Sequence, residues 1–114
     1  MLFRSFRQFV FVKDLVVGIA ACLNPVAEKQ IINLNGNRKI TVMEIVRTIE
    51  TILGIQMSIN RVPDRPGNFK GRVVSSEKAK RLLGWEPKWD YWDAMVRYIE
   101  WFKENELPAL RHPT

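Results

Sequence analysis

The chain has one cysteine, one histidine and six glycines in 114 residues, and no two glycines stand close enough to form a Gly-x-Gly-x-x-Gly phosphate-binding turn. A single thiol rules out an internal disulfide, and Cys22, set in an apolar run, reads as a small buried hydrophobe. The lone His112 has no second imidazole or thiolate near it in sequence, so no zinc-type ligand set and no Ser-His-Asp or Cys-His arrangement can be assembled. No catalytic and no metal-binding residues are assigned. Long hydrophobic runs are also missing. Leu15 to Leu23 is uncharged but too short to cross a bilayer. Lys13 and Asp14 interrupt the apolar residues near the start, as a secretory leader would not tolerate. These features lead us to expect a cytoplasmic protein without a membrane segment.

What is present is ordinary globular composition, 46% apolar and 26% charged, with a net charge of +6. Such a charge attracts phosphate-bearing small molecules as well as nucleic acid. The basic residues Arg61, Arg65, Lys70, Arg72, Lys78, Lys80 and Arg81 are broken up by turns and apolar positions, and no nucleic-acid-binding motif accompanies them. A nucleic-acid partner is therefore disfavoured.

Several elements can be read along the chain. Phe9-Val10-Phe11-Val12 has the apolar, β-branched and aromatic character of a buried strand. Asp14 is placed to cap a helix carrying Leu15, Val16, Ile19, Ala20 and Leu23 at helical spacing, which Asn24-Pro25 should stop. A second strand is expected over 30–34, closed by a turn at Asn35-Gly36-Asn37. Thr41 and Glu44 make a capping box ahead of apolar residues at 42, 45, 46, 49, 52 and 53, and Gly54 stands at the position that ends such a helix. Ile55, Met57 and Ile59 alternate with polar residues as in a half-buried strand. From Pro63 to Gly71 prolines and glycines impose a loop. A short helix capped by Ser75 or Ser76 should turn Ala79, Leu82 and Leu83 inward and stop at Gly84. Asp90 caps a last helix with apolar or aromatic side chains at 91, 94, 95, 98, 101 and 102. Trp85 and Trp101 read as core anchors, and Trp92 falls on the polar side as an exposed contact. The fold class is α/β, a small single domain of about four helices and three to four short strands over residues 1–106, followed by a tail over 107–114.

A guanidinium fork suits a diphosphate because its planar donors match phosphate oxygens two at a time. Arg7 and Arg65 are the two candidates, the first just ahead of the Phe9–Val12 run and the second in a Pro/Gly loop, where binding groups concentrate.

The order Arg7-Gln8-Phe9-Val10-Phe11-Val12-Lys13-Asp14, Asn33-Leu34-Asn35-Gly36, Val62-Pro63-Asp64-Arg65-Pro66-Gly67, Lys78-Ala79 and Leu83-Gly84-Trp85-Glu86-Pro87 resembles the C-terminal, substrate-binding end of the extended short-chain dehydrogenase/reductases, the NAD-dependent nucleotide-sugar epimerases and dehydratases of the UDP-glucose 4-epimerase type. The likeness runs over about residues 4–104, and the order of its elements weighs more than any one motif. It implies that Arg7 and Arg65 contact the diphosphate of a UDP- or dTDP-sugar. It also places Asn68 and Phe69 where many relatives carry an acidic residue that accepts from a ribose hydroxyl, Asn68 being the substrate-binding candidate of the two, and Ser75 where an aspartate is usual. The family's N-terminal Rossmann half, with its glycine fingerprint and Tyr-x-x-x-Lys pair, has no counterpart in this sequence, so no cofactor is assigned and catalysis by this chain alone is not expected.

Three functional readings follow. The first is a truncated or stand-alone nucleotide-sugar-binding domain, the second an interaction or oligomerisation protein that kept the fold and lost the site, the third a basic nucleic-acid-binding module. Because amphipathic elements must bury their apolar faces, the face carrying the first two strands is expected to pair with a second copy in a homodimer or with a separate N-terminal Rossmann partner.

Overall fold

The structure is a computed structural model, and it describes residues 5–63, 65–67 and 71–111. Its elements are β1 (Phe6–Arg7), α1 (Val12–Ala21), a single 3-10 turn (Pro25–Ala27), β2 (Ile40–Thr41), α2 (Val42–Leu53), α3 (Glu77–Leu83) and α4 (Tyr91–Arg111). The two short strands pair antiparallel, Phe6 opposite Thr41 and Arg7 opposite Ile40. This is a small α/β domain with the four helices expected from the sequence.

The helices with strong local signals form where expected. Thr41 caps α2, its Oγ1 accepting from the Glu44 amide at 3.1 Å, and Gly54 closes it in the left-handed conformation. The Glu44 carboxylate does not return to Thr41 to complete the box but pairs with Arg38. Ser75 Oγ accepts from the Glu77 amide at 3.1 Å at the start of α3, and Gly84 ends it. Asp90 Oδ2 accepts from the amides of Trp92 at 3.0 Å and Asp93 at 3.3 Å to start α4. α4 then continues through Pro108 to Arg111, into the segment read from sequence as a tail. A proline forfeits one helical donor but does not end the helix here.

The strands expected at 9–12, 30–34 and 55–59 do not form among the described residues; Val12 is instead the first residue of α1. Their apolar composition is real, yet a strand exists only where a neighbouring strand takes its backbone groups, and the described residues place none beside these segments. Ile31 is 87% exposed as a result.

The helix α1 is oriented opposite to its expected sense. Its inward residues are Asp14 and Gly18, while Val12, Val16, Val17, Ile19 and the following Leu23 face outward, Leu23 being 87% exposed. Asp14 is not the cap. Phe11 holds that position, and Asp14 is buried in the first turn. Cys22 is exposed rather than buried. The small core consists of Ile40, Ala79, Trp85 and Ile99. Trp85 is 4% exposed, as expected of an anchor, and Trp92 is exposed, also as expected; Trp101, read as a core anchor, is 47% exposed. Its stripe on α4 lines an open groove instead of a closed core.

The radius of gyration of 17.1 Å exceeds the roughly 13 Å typical of a compact domain of this length. Apolar faces left uncovered and a large radius describe the same condition: the hydrophobic surface of this chain is only partly closed by the chain itself.

Candidate functional site

Three segments distant in sequence are drawn together at the end of β1. Gln8 is the hub. Its Nε2 donates to the carbonyls of Gly36 at 3.1 Å and Val74 at 3.0 Å, and its Oε1 accepts from the Val74 amide at 2.6 Å. Asn35 Nδ2 donates to the same Val74 carbonyl at 2.9 Å, and the Gly36 amide donates to the Gln8 carbonyl at 3.1 Å. A glutamine suits this place because its amide is donor and acceptor at once, as is the peptide it satisfies.

These bonds enclose a cleft of about 350 Å³ lined by Arg7, Gln8, Asn33, Leu34, Asn35, Arg72 and Val74. Its charged side chains are two guanidiniums, and no carboxylate lines it among the described residues. The remaining polar lining is amide. Asn35 Oδ1 is buried and accepts no hydrogen bond among the described residues. Arg7 Nη1 donates to the Phe6 carbonyl at 2.7 Å, a bond that holds its stem along the strand. The arrangement is suited to a small anion that also carries a donor.

Arg65 lies exposed beside the turn at Pro66-Gly67 and does not line this cleft. Asn68 lies outside the described residues, as does His112. Arg72 was missed as a candidate by the sequence reading. Nothing in its local pattern marks it, and the one available signal was a glycine directly before it in an otherwise extended segment.

A second, larger groove of about 1280 Å³ runs between the 9–13 segment, α2 and the outer side of α4. Its walls are mostly apolar and aromatic, with Phe11, Ile45, Ile49, Met95, Tyr98 and Trp101 prominent. Asp14, one of its lining residues, acts as a latch: its carbonyl accepts the Trp85 Nε1–H at 2.9 Å and its Oδ2 accepts the Trp89 amide at 3.0 Å. Phe11 packs on Trp89 with ring centroids 4.7 Å apart. The Tyr91 hydroxyl and Thr48 Oγ1 are 3.0 Å apart, tying α4 to α2.

Among the described residues no group of histidine, cysteine or carboxylate side chains is placed to hold a metal, and no helix is long and apolar enough to cross a membrane.

No protein-family model matches the chain. Individual proteins do. It is 30% identical over 100 residues to a UDP-glucuronate 4-epimerase of Thermodesulfobacterium geofontis, covering 87% of this chain and 31% of that protein. It is also 30% identical over 103 residues to a UDP-glucose 4-epimerase of Halalkalibacterium halodurans, with the same coverage of 87% and 31%. Among solved structures, it superposes on the dTDP-glucose 4,6-dehydratase of Bacillus anthracis in complex with NAD, with a TM-score of 0.81 and 28% identity over 90% of this chain and 33% of that one. Its homologues are extended short-chain dehydrogenase/reductases. It corresponds to the C-terminal portion of such proteins and spans about a third of the length of those it matches. The Bordetella bronchiseptica enzyme WbmF, in complex with NAD+ and UDP, also matches, with a TM-score of 0.79 and 28% identity over 96% of this chain and 33% of that one. The uncovered apolar faces thus belong to a chain that matches one third of proteins about three times its length.

Proposed function

We propose that this chain is the nucleotide-sugar-binding portion of an NAD-dependent epimerase/dehydratase, binding the diphosphate of a UDP- or dTDP-sugar at the end of β1. The observation that carries the reading is the positively charged cleft at Arg7, in a fold whose relatives include an enzyme solved with UDP. In this reading Arg7 contacts the diphosphate from the strand side. The family resemblance assigns Arg65 to phosphate and Asn68 to a ribose hydroxyl. The family relationship supports this reading over a nucleic-acid binder.

Relatives solved with NAD raise the question of the same cofactor here. The residues present do not fit it: the sequence has no glycine-rich turn opening a helix and no Tyr-x-x-x-Lys pair. No hydride or proton transfer is therefore assigned to this chain, and redox chemistry would need residues supplied by an N-terminal Rossmann portion.

The outward face of α1 and the aromatic groove support a partner, either that N-terminal portion or a second copy of the chain. Burial of several large apolar side chains contributes roughly 1.5–3 kcal/mol each, ample for association. A cytoplasmic setting belongs to the same proposal, the single cysteine needing no oxidising compartment.

The test is a titration of isotope-labelled protein with UDP-glucose, followed by amide shifts. Saturable shifts confined to Arg7, the 33–36 turn and the 65–74 segment are expected, and the Arg65→Ala variant should weaken them. A dispersed spectrum that does not move at millimolar ligand would refute sugar-nucleotide binding and leave the fold as an interaction module.

A further inference from the structure

The outward side of α1 and the residue pair that follows it carry Val12, Val16, Ile19 and Leu23, each more than half exposed. Their spacings of four, three and four set them in one narrow stripe along about three turns. The stripe is locked toward solvent. On the opposite side of the helix a Cβ at Gly18 would lie 2.9 Å from both Leu34 Cδ1 and Trp85 Nε1, so α1 already touches the rest of the chain there. Asp14, one turn earlier, is held by the Trp85 indole and the Trp89 amide at 2.9 and 3.0 Å. Turning the stripe inward would break both bonds.

Two properties of the stripe select what covers it. Its spacing reads the same in both directions, so a two-fold axis between positions 17 and 18 lays it antiparallel on its own copy, Val12 against Leu23 and Val16 against Ile19. It is also uncharged: residues 15–27 contain no ionisable side chain other than the Cys22 thiol, in a chain of net charge +6. In the antiparallel register Lys13, the one cation of α1, falls opposite Cys22 of the second copy, whereas a parallel pair would set Lys13 beside Lys13 at a cost in like-charge repulsion. The area suffices as well. The chain exposes 8990 Å², where a compact protein of its 13.3 kDa exposes about 6,500 Å². A two-fold interface of standard size takes roughly 800 Å² from each copy, well inside that surplus.

We propose that a second copy of this chain docks on the outward face of α1, the two helices forming an antiparallel, two-fold pair centred on Val16 and Ile19. Of the two partners open to this face, the second copy is the one whose shape and charge pattern the stripe itself supplies. The pairing does not depend on the sugar-nucleotide reading: a monomeric chain leaves the titration with UDP-glucose to stand or fall alone.

Sedimentation velocity over a range of concentrations, on the full chain and its variants, tests the pair, with circular dichroism establishing that each variant keeps its helices. The wild-type chain should be a concentration-dependent dimer. Val16→Glu combined with Ile19→Glu removes two buried apolar side chains from each copy and should weaken the dimer at least about a hundredfold. Val62→Glu, at an exposed apolar position outside α1, should change it by less than about threefold. The register has its own test in the outer positions, which lie about 16 Å apart and cannot pair within one chain. Val12→Lys combined with Leu23→Glu sets opposite charges together across the antiparallel pair and should stay dimeric, whereas Val12→Glu combined with Leu23→Glu sets like charges together and should dissociate. These outer variants carry the test if the central one loses its helices. A wild-type chain that is monomeric at high concentration overturns the proposal, even if it binds an N-terminal portion supplied separately. So does a dimer that Val62→Glu weakens as much as the central pair does, or one that responds alike to the two outer charge combinations.

Discussion

Replacing Gly71 by alanine tests whether the 71–74 segment really lies against β1. The backbone at Gly71 has φ 135°, which a side chain rarely adopts, at a cost of about 1–3 kcal/mol. The added Cβ would also meet the Phe6 carbonyl oxygen at 2.6 Å, far inside contact distance, and backbone there cannot swing aside as a side chain can. Overpacking of that kind costs about a further 1–3 kcal/mol. Gly54→Ala is the internal control. It too has positive φ, 65°, but nothing lies within 4 Å of a Cβ there, so only the left-handed penalty of about 1–2 kcal/mol applies. Gly71→Ala should therefore cost about 2–6 kcal/mol, a large share of the stability of a domain this size. Urea unfolding followed by tryptophan fluorescence reads both variants, with a slope of roughly 1–1.5 kcal/mol per molar converting the midpoint shifts. Equal losses for the two variants, or a loss below about 1 kcal/mol for Gly71→Ala, would refute close packing of this segment on Phe6 and with it the placement of Arg72.

Other substitutions probe the latch, the helix junction and the open face. Asp14→Ala should cost about 1–3 kcal/mol by stripping the Trp89 amide of its acceptor, whereas Asp14→Asn, which keeps an oxygen there, should cost less than about half as much in the same urea assay. Trp85→Phe removes the indole donor to the Asp14 carbonyl and part of a buried ring, and a loss of about 1–3 kcal/mol is expected in thermal unfolding. Tyr91→Phe deletes the hydroxyl contact with Thr48 and should cost about 0.5–1.5 kcal/mol. Sedimentation should find the wild-type chain self-associated or bound to an N-terminal portion supplied in trans, and Val16→Glu combined with Ile19→Glu should abolish that association; a compact wild-type monomer at high concentration would sink the partner proposal.

Which parts of this structure were legible beforehand depends on how local their causes are. The Thr41 cap, the Gly54 and Gly84 stops and the Asp90 cap act within one or two helical turns, so residue identity and spacing suffice to locate α2, α3 and α4. The segments 9–12, 30–34 and 55–59 failed as strands because pairing is a property of two segments, and their apolar alternation cannot report whether a partner stands alongside. Hydrophobic periodicity on α1 and α4 correctly groups side chains by face. It does not say which face meets the rest of this chain, so Ile19 and Trp101 were expected inside and stand outside. Arg7 was visible as a candidate because it precedes a recognisable run. That Arg72 lines the same cleft was not, since the cleft comes from Gln8, Asn35 and Val74 joining across 28 to 66 positions of sequence.

The amino-acid sequence by itself determined the helices, their caps, the positive charge and the kinship, through interactions that reach only a few residues or through the order of motifs along the chain. Tertiary structure alone decided which apolar faces are covered, that Asp14 is a buried latch and not an exposed cap, and that Arg72 lines the same cleft as Arg7, because burial and convergence are set by distances between segments that no local pattern records.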